Sequence, residues 1–224
     1  EVAGNSLQPS YSTAKILWYK ENLPEIYAKI DKILQSNSYI AYKLTDAVTQ
    51  DVSQGYGLHC FDMRKGCWDE KMCECLGIPM GFLPEICDCD HVVGTVTGKA
   101  AAECGLAEGT PVVAGGLDAA CGTLGAGVIH SGETQEQGGQ AGGMSICTDE
   151  YKADPRLILS YHVVPGKWLL QGGTTGGGGV MRWLEREFGA YEREEGKRQG
   201  KSSLDLFNEE AAAVAPGSDG GIFL

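Results

Sequence analysis

One stretch of the sequence, residues 110–128, constrains the fold more than any other. The apolar run Pro111–Ala114 predicts a buried strand, and Gly115–Gly116 predicts a tight turn directly after it. Small apolar residues from Ala119 onward are typical of a closely packed helix. Asp118 stands between the turn and the helix. Because a carboxylate at that position can cap the helix or serve a binding site, both roles are open at this point.

The flanking sequence predicts a mixed α/β chain whose character changes near residue 109. The first half is rich in predicted helices, which are Ala14–Asn22, Glu25–Leu34, Ser38–Leu44, Asp69–Leu76 and Lys99–Cys104. Ser12-Thr13 is predicted to cap the first of them at its N-terminus. From residue 92 on, the predicted strands are Val92–Val96, Pro111–Ala114, Ser145–Cys147, Leu157–Val163 and Trp168–Gln171. The later helices are Val180–Phe188 and Leu204–Val214, the second with Leu206, Phe207 and Ala211 in the core. A loop is predicted at Pro84–Ile86, a charged surface segment at Glu192–Lys201, and a final strand at Gly220–Leu224.

The composition of the chain limits its partners and its location. Its formal net charge of −12 argues against nucleic acid, because phosphate backbones attract basic surfaces. No apolar run approaches the roughly 20 residues that a spanning helix needs, so no membrane partner is expected. Residues 1–10 lack the basic and apolar regions of a signal peptide. Nine cysteines, scattered through apolar segments, favour a reducing compartment, and these features together predict a cytoplasmic protein.

Two C-x-C pairs, Cys73/Cys75 and Cys87/Cys89, are the most obvious metal candidates. Their spacing is shorter than the C-x₂₋₄-C spacing of zinc sites, and no histidine follows at a ligand spacing. We therefore expect no metal site and interpret the thiols as small buried hydrophobic residues. The four histidines are scattered, and surface or satisfied core positions are expected for His59, His91, His130 and His162.

Three glycine-rich turns predict a phosphate-binding site, and they are Gly115–Gly116, Gly138–Gly143 and Gly172–Gly179. Glycine lets backbone N–H groups approach phosphate oxygens, although any single turn is better explained by close packing. Three such turns in one α/β region favour a bound ligand. The sequence has no P-loop, no strict G-x-G-x-x-G opening a helix and no G-x-S-x-G. P-loop, dinucleotide-binding and serine-hydrolase sites are therefore not supported.

Asp118 is the strongest acidic candidate for chemistry. A helix N-terminus favours the ionised carboxylate. An ionised aspartate can accept a proton from a substrate hydroxyl as that oxygen attacks phosphorus. Capping the helix is compatible with this role. Asp46, Asp51 and Asp62 lie in the helix-rich half and are predicted to cap or solvate turns.

Several motifs, in their order along the chain, resemble the FGGY family of carbohydrate kinases. The segment GTPVVAGGLDAACGTLGAGV, residues 109–128, is similar to the family's segment that carries the catalytic aspartate. Residues 12–24 resemble its lysine–tryptophan helix, and residues 39–53 resemble the following helix and T-D-x-S turn. Residues 217–224 are similar to the approach to a downstream G-E-R motif. The resemblance covers nearly the whole chain and is closest to the xylulokinases.

The resemblance implies an actin-like ATPase (ribonuclease-H-like) α/β fold of two domains, with this chain as a middle portion. Residues 1–109 would form the later part of the N-terminal sugar-binding domain. Residues 110–224 would form the first part of the C-terminal nucleotide-binding domain. The implied reaction transfers a phosphoryl group from ATP, with Mg²⁺, to a hydroxyl of a sugar or polyol, here a ketopentose such as xylulose. Asp118 is implied as general base and substrate contact, and a homodimer is compatible with the family.

The resemblance also implies contacts to the nucleotide. Gly178 and Gly179 match the family's nucleotide-side glycine turn. Gly139 and Gln140 fall where the family has G-T-S-G, so Gln140 replaces a phosphate-contacting threonine whose donor its amide could supply. A rival register places Gly143–Ser145 there, with a methionine that cannot donate.

Ser10 is implied as a substrate contact, because it falls where glycerol kinases carry a substrate-contacting tyrosine. The serine argues against glycerol. The family's N-terminal D-x-G-T motif, first-domain sugar-binding loop and C-terminal adenine-binding motif are absent from the sequence. We therefore expect a truncated gene product or a larger chain of which only part is given. The alternative interpretation is a non-catalytic actin-like fragment or interaction module without the Mg-ATP motifs.

Overall fold

The computed structural model describes residues 2–174 and 176–222, and the mixed α/β class is confirmed. The described chain divides into two compact units. The first unit comprises the residues up to 136 together with 144–172, and the second comprises 137–143 together with the residues from 173 onward. The predicted domain boundary between residues 109 and 110 stays a prediction.

Nine α-helices form within the described residues. They are α1 (Ser12–Asn22), α2 (Pro24–Tyr27), α3 (Ser36–Thr45), α4 (Glu70–Leu76), α5 (Gly98–Cys104), α6 (Asp118–Gly125), α7 (Gly178–Phe188), α8 (Ala190–Gln199) and α9 (Ser203–Ala212). The predicted ends of α4 and α5 are confirmed, because Gly77 and Gly105 follow them with φ angles of 62° and 76°. The predicted charged surface segment is mostly the helix α8.

The predicted cap of the first helix is wrong. Tyr11 is the residue before the first helical turn, and it makes no side-chain capping bond. The hydroxyls expected to cap are engaged elsewhere: Ser12 Oγ accepts from Gln35 Nε2 at 3.0 Å, and Thr13 Oγ1 accepts from the amide of His59 at 2.8 Å. Long-range partners have therefore taken the place of local capping.

The predicted helix Glu25–Leu34 is also wrong beyond its first turn. The helix α2 ends at Tyr27. The amide of Ile33 donates to the carbonyl of Phe82 at 2.8 Å, and the Tyr27 ring packs edge-on against Phe82 at 5.5 Å. The apolar residues after Tyr27 have helical spacing, but they anchor an irregular segment. Contacts with distant residues, such as the bond from Ile33 to Phe82, take the place of hydrogen bonds within a helix.

Ten β-strands lie within the described residues. They are β1 (Thr49–Asp51), β2 (Phe61–Asp62), β3 (Cys67–Trp68), β4 (Glu85–Cys87), β5 (Val92–Thr95), β6 (Pro111–Val113), β7 (Thr134–Gly138), β8 (Gly142–Thr148), β9 (Ile158–Tyr161) and β10 (Trp168–Thr174). Strands β1 and β4 pair in parallel, whereas β2 with β3 and β5 with β6 pair antiparallel. The largest sheet has the strand order β7-β8-β10-β9.

Several strand predictions need correction. The loop predicted at Pro84–Ile86 contains the start of β4, where Ile86 lies opposite Gln50 of β1. Strand β7 was not predicted, because its sequence TQEQG contains no apolar residue and gives no alternating pattern. The predicted strand Pro111–Ala114 forms as β6, but Pro111 and Val113 are exposed rather than buried. The last two residues of the predicted final strand, 223 and 224, lie outside the described residues.

Three hydrophobic clusters form the core of the first unit. The cluster that bears on α6 consists of Leu117, Ala120, Val128, Cys147 and Leu169. The other two are Ile16, Leu58, Cys60, Cys73, Ile78 and Leu83, and Phe61, Met63 and Leu159. In the second unit Leu206 of α9 is buried as predicted, whereas Ala211 is exposed. In the described part of the chain, no helix combines the length and apolar character needed to cross a bilayer.

The cysteines are less uniform than predicted. All nine are free thiols, and the buried ones are Cys60, Cys73, Cys89 and Cys147. Burial raises the pKa of both Cys60 and Cys89 to about 12, and the charge of Asp51 adds to the shift of Cys89. The remaining thiols are exposed or half-buried. The interpretation as buried small residues therefore holds for only some of them.

Candidate active site

The turn between β6 and α6 is fixed by two glycines. Gly115 has a φ of 75°, a conformation that side chains disfavour, and its amide donates to the carbonyl of Cys89 at 3.0 Å. A Cβ atom on Gly116 would lie 2.4 Å from Val163 Cγ1, which is closer than any real contact. The glycine pair therefore lets the chain pass tightly beneath its neighbours and delivers Asp118 at the start of α6.

A buried carboxylate holds this turn in place. Asp51, at the end of β1, is fully buried and accepts hydrogen bonds from Ser53 Oγ and from Asn37 Nδ2, the latter at 2.7 Å. Ser53 Oγ in turn accepts from the amide of Leu117 at 2.8 Å. Asn37 Nδ2 also lies 3.3 Å from the carbonyl of Ala114. These bonds tie both ends of the turn to one aspartate.

Asp51 also caps, as predicted, but it does more than the sequence indicated. Its Oδ1 accepts from the amide of Gln54 at 3.2 Å and so caps a short 3₁₀ helix over Val52–Gly57. The residues that link it to the turn, Ser53 and Leu117, lie 64 positions apart. The only sequence signal for this role is the T-D-x-S-like pattern at residues 49–53.

Asp118 is the first residue of α6 and is exposed. The preceding residue, Leu117, occupies the N-cap position, so the capping role considered for Asp118 is wrong. The recorded bond of its carboxylate is to the adjacent amide of Ala119, at 2.7 Å. Its negative charge and that of Asp51 add to the effect of burial and raise the pKa of Cys121, one turn further along α6. The carboxylate is thus anchored at one oxygen and open to a ligand.

One tyrosine, Tyr56, lies near this carboxylate, and a second, Tyr11, packs against Tyr56. The rings of Tyr11 and Tyr56 meet edge-to-face at 5.5 Å. Burial raises the pKa of Tyr56, and the nearby Tyr11 and Asp118 raise it further. Ser10, the other candidate substrate contact, is exposed in the turn that precedes Tyr11.

The histidines only partly match their prediction. His59 is buried beside Tyr11, with ring centroids 5.8 Å apart, and its Nδ1 lies 3.2 Å from Thr13 Oγ1. Its Nε2 is buried without a well-formed hydrogen bond within the described residues, and the nearby backbone of Ser6 and Asn5 only partly opposes the effect of burial on its pKa. Burial lowers its pKa and favours the neutral ring. His162 is buried and satisfied, with Nε2 2.9 Å from the carbonyl of Val128.

The predicted nucleotide residues meet in the second unit. A cavity of about 420 Å³ is lined by Gly138, Gly139, Gln140, Gly178 and Arg182. The amide of Gly178 donates to the carbonyl of Gly139 at 2.7 Å, and the amide of Gly179 donates to the carbonyl of Gln140 at 3.2 Å. Because these amides are already engaged, the donors left for a ligand include the Gln140 side chain and the Arg182 guanidinium.

Arg182 is the residue of this cavity whose role sequence reasoning missed. Four other arginines bond to carboxylates or carbonyls, and Arg64 stacks on Tyr151. Within the described residues, no hydrogen bond or ion pair is recorded for the Arg182 guanidinium. An unpaired guanidinium beside a glycine turn is suited to an anionic ligand. A basic residue one turn into the helix after a glycine run could have signalled this.

The rival register for the phosphate turn falls in regular structure. Gly143–Ser145 lies within β8, where Ser145 Oγ accepts from Gln171 Nε2 at 3.3 Å. Gly139 and Gln140 lie in the bend between β7 and β8. No cluster of three or more metal-binding side chains occurs in residues 2–174 and 176–222.

Comparison with known proteins identifies the family. The model of the N-terminal domain of the FGGY family of carbohydrate kinases matches residues 1–125, more than half of the chain. The chain belongs to the FGGY family of carbohydrate kinases. Members of this family are phosphotransferases that act on sugar hydroxyls, and they use ATP, typically with Mg²⁺.

The similarity to individual FGGY kinases extends over almost the whole chain. The chain is 30% identical to the autoinducer-2 kinase of Klebsiella pneumoniae over 222 residues, which is 98% of this chain and 42% of that protein. It is 29% identical to the gluconokinase of Bacillus licheniformis over 221 residues, which is 98% of this chain and 43% of that protein. The crystal structure of the xylulose kinase from Rhodospirillum rubrum matches with a TM-score of 0.85 at 28% identity, covering 97% of this chain and 43% of that one.

The fold predicted from the family resemblance is confirmed as that of the actin-like FGGY kinases. The chain spans about two fifths of the length of the relatives it matches, which is 42% of the autoinducer-2 kinase and 43% of the gluconokinase. These FGGY relatives are named for three different substrates, so family membership does not fix the substrate as a ketopentose.

Proposed function

We propose that the protein transfers the terminal phosphoryl group of ATP to a hydroxyl of a sugar, with Asp118 as general base. The observation that carries the proposal is the exposed Asp118 carboxylate, fixed at the end of a turn that Asp51 and Ser53 hold through buried hydrogen bonds. A base must be rigidly placed yet open to its substrate, and both conditions are met here.

The proposed step transfers one proton and one phosphoryl group. Asp118 takes the proton of the sugar hydroxyl, and the freed oxygen forms a bond to the terminal phosphorus. The bond between that phosphorus and the bridging oxygen breaks, and ADP leaves with the electron pair. Because only one oxygen of Asp118 is engaged, by the amide of Ala119, the other is free to accept the proton.

The nucleotide is assigned to the cavity of the second unit. Gly139, Gln140, Gly178 and Gly179 are the proposed contacts, and Arg182 is added to them. The lining fits a polyanion, since it offers a guanidinium and an amide, and none of its described residues carries a carboxylate. Mg²⁺ often binds through substrate phosphates with few protein ligands, so no residue of the chain is assigned to it.

The proposed sugar is a ketopentose such as xylulose. The TM-score of 0.85 to a xylulose kinase supports this sugar. The sequence matches to an autoinducer-2 kinase and a gluconokinase favour other substrates. Ser10 is proposed to contact the sugar, and its position in the turn before Tyr11 is compatible with that role. The protein is further proposed to be cytoplasmic.

Release of ADP on addition of a sugar is the decisive test of the activity. The full gene product is incubated with Mg-ATP and, in turn, xylulose, gluconate, autoinducer-2 and glycerol, and ADP is measured by a coupled assay. We expect release that depends on the sugar, fastest with xylulose and least with glycerol. Absence of sugar-dependent release with every compound would contradict kinase activity and favour the non-catalytic actin-like module.

A further inference from the structure

Tyr56 stands on the same element that fixes the proposed base. It lies in the 3₁₀ helix Val52–Gly57. In the same helix, Ser53 Oγ accepts a hydrogen bond from the amide of Leu117, the residue directly before Asp118. The Tyr56 ring packs against the cluster that contains Leu117. Any shift of this short helix would therefore move the tyrosine and the turn of Asp118 together.

The phenolic hydroxyls of Tyr56 and its neighbour Tyr11 are available to a ligand. Other tyrosines use theirs: Tyr161 Oη donates to the carbonyl of Met63 at 2.8 Å, and Tyr27 Oη donates to that of Gly77 at 3.3 Å. Within the described residues no hydrogen bond is recorded for the hydroxyl of Tyr11 or Tyr56, and neither is among the buried unpaired atoms. Both oxygens therefore retain access to solvent.

The ring of Tyr56 is held rather than mobile. It meets the edge of Tyr11 at 5.5 Å with an interplanar angle of 84°. Tyr11 in turn stacks on buried His59 at 5.8 Å. An edge-to-face pair of this kind restricts ring orientation, so little freedom is lost when the hydroxyl binds a ligand.

The chemistry of the two groups is complementary. An ionised carboxylate only accepts hydrogen bonds, whereas a phenolic hydroxyl both donates and accepts. A sugar carries hydroxyls on adjacent carbons, each with one proton and two lone pairs. A carboxylate beside a phenol can thus hold two neighbouring hydroxyls. The carboxylate accepts the proton of one hydroxyl, and the phenol donates to the other or accepts from it.

We infer that Tyr56 is a substrate-binding residue whose hydroxyl bonds the sugar hydroxyl adjacent to the one that Asp118 deprotonates, with Tyr11 supporting its ring. The inference rests on the proposed function, since it takes Asp118 as the base. It adds a residue that selects substrates bearing two adjacent hydroxyls.

The Tyr56→Phe variant tests this directly, because it keeps the ring and removes only the oxygen. Affinity for the accepted sugar is measured by calorimetry without ATP on the full gene product. We expect the Kd for the sugar to rise about three- to tenfold, the range for one neutral hydrogen bond, with the Kd for ADP unchanged. The matched control is Tyr42→Phe, which belongs to another tyrosine pair, with Tyr39 at 6.4 Å, and should bind the sugar like the wild type.

A deoxy-sugar that lacks the adjacent hydroxyl completes a double-mutant cycle. The wild type should bind this analogue about three- to tenfold more weakly than the sugar, whereas Tyr56→Phe should bind both equally. Unchanged sugar affinity in Tyr56→Phe, undiminished discrimination against the analogue, or no sugar binding by the wild type would each overturn the inference. Because binding is measured without turnover, a chain that binds sugar through Tyr56 but releases no ADP would contradict only the kinase reaction.

Discussion

Two aspartates with opposite surroundings define the candidate site at the scale of single residues. Asp51 is fully buried, and its carboxylate accepts hydrogen bonds from Ser53, Asn37 and the amide of Gln54. Asp118 is exposed, with one recorded bond to the next amide. The buried acid therefore serves structure, and the exposed one remains free for chemistry.

Gly116→Ala tests whether the tight turn matters. The added methyl would lie 2.4 Å from Val163 Cγ1 and 3.2 Å from Ser53 Oγ, so the turn must move. We expect the free energy of unfolding to fall by about 1–3 kcal/mol, as for overpacking in a core, together with loss of turnover.

Denaturant unfolding of Gly116→Ala is compared with that of Gly122→Ala. A Cβ atom on Gly122, within α6, meets no atom of the described residues within 4 Å. Since alanine is the better helix former, the control should be unchanged or more stable by up to about 1 kcal/mol. Equal stability of the two variants would refute the claim that Gly116 is needed for close approach.

Local rules predicted the elements whose stabilising partners are close in sequence. The helices α4 and α5 end at glycines in the left-handed conformation, and both were recognised from the sequence. The start of β4 was missed because its partner is β1, and the helix beyond Tyr27 failed because Ile33 bonds to Phe82. Contacts between distant segments leave no periodic signal in the sequence.

The same limit applies to the candidate site. Asp118 could be singled out from the strand, turn and helix that surround it in the sequence. The supporting bond from Leu117 to Ser53 could not, because 64 positions separate the two residues. Pairing of Tyr11 with Tyr56 likewise depends on tertiary packing.

Helix α7 gives a prediction for the nucleotide cavity. Arg182→Gln removes a positive charge from the cavity, and Arg182 is the charged side chain among the lining residues that the structure describes. Because hydrogen bonds to charged groups contribute about 1.5–3 kcal/mol, we expect the Kd for ATP to rise about tenfold or more, with sugar affinity unchanged. Titration with ATP, ADP and adenosine gives the measurement, and adenosine should bind both proteins equally.

The control for Arg182→Gln is Arg186→Gln, one turn later in α7. Arg186 is exposed and already pairs with Glu187 at 2.6 Å, so its loss should leave nucleotide affinity unchanged. Equal affinities of the Arg182 variant and the wild type for ATP would show that the guanidinium does not contact the phosphates.

At the scale of the whole molecule, two compact units carry different parts of the proposed chemistry. The first contains Asp118 and its supporting network, and the second contains the cavity with Arg182. The net charge of −12 makes an unpaired guanidinium in that cavity more notable, because it attracts a nucleotide against the overall field. The family model matches residues 1–125, which include Asp118.

The central claim is that Asp118 is the base, and Asp118→Asn tests it most directly. Asparagine keeps the shape of the side chain but cannot take up the proton. With the sugar that the wild type accepts, we expect kcat to fall by about a hundredfold to ten-thousandfold, while calorimetric sugar affinity stays within about threefold. Asp46→Asn is the control, since Asp46 is exposed with a φ of 64° that asparagine tolerates, and it should keep full turnover. Turnover by Asp118→Asn within about tenfold of the wild type would contradict the claim and place the base elsewhere.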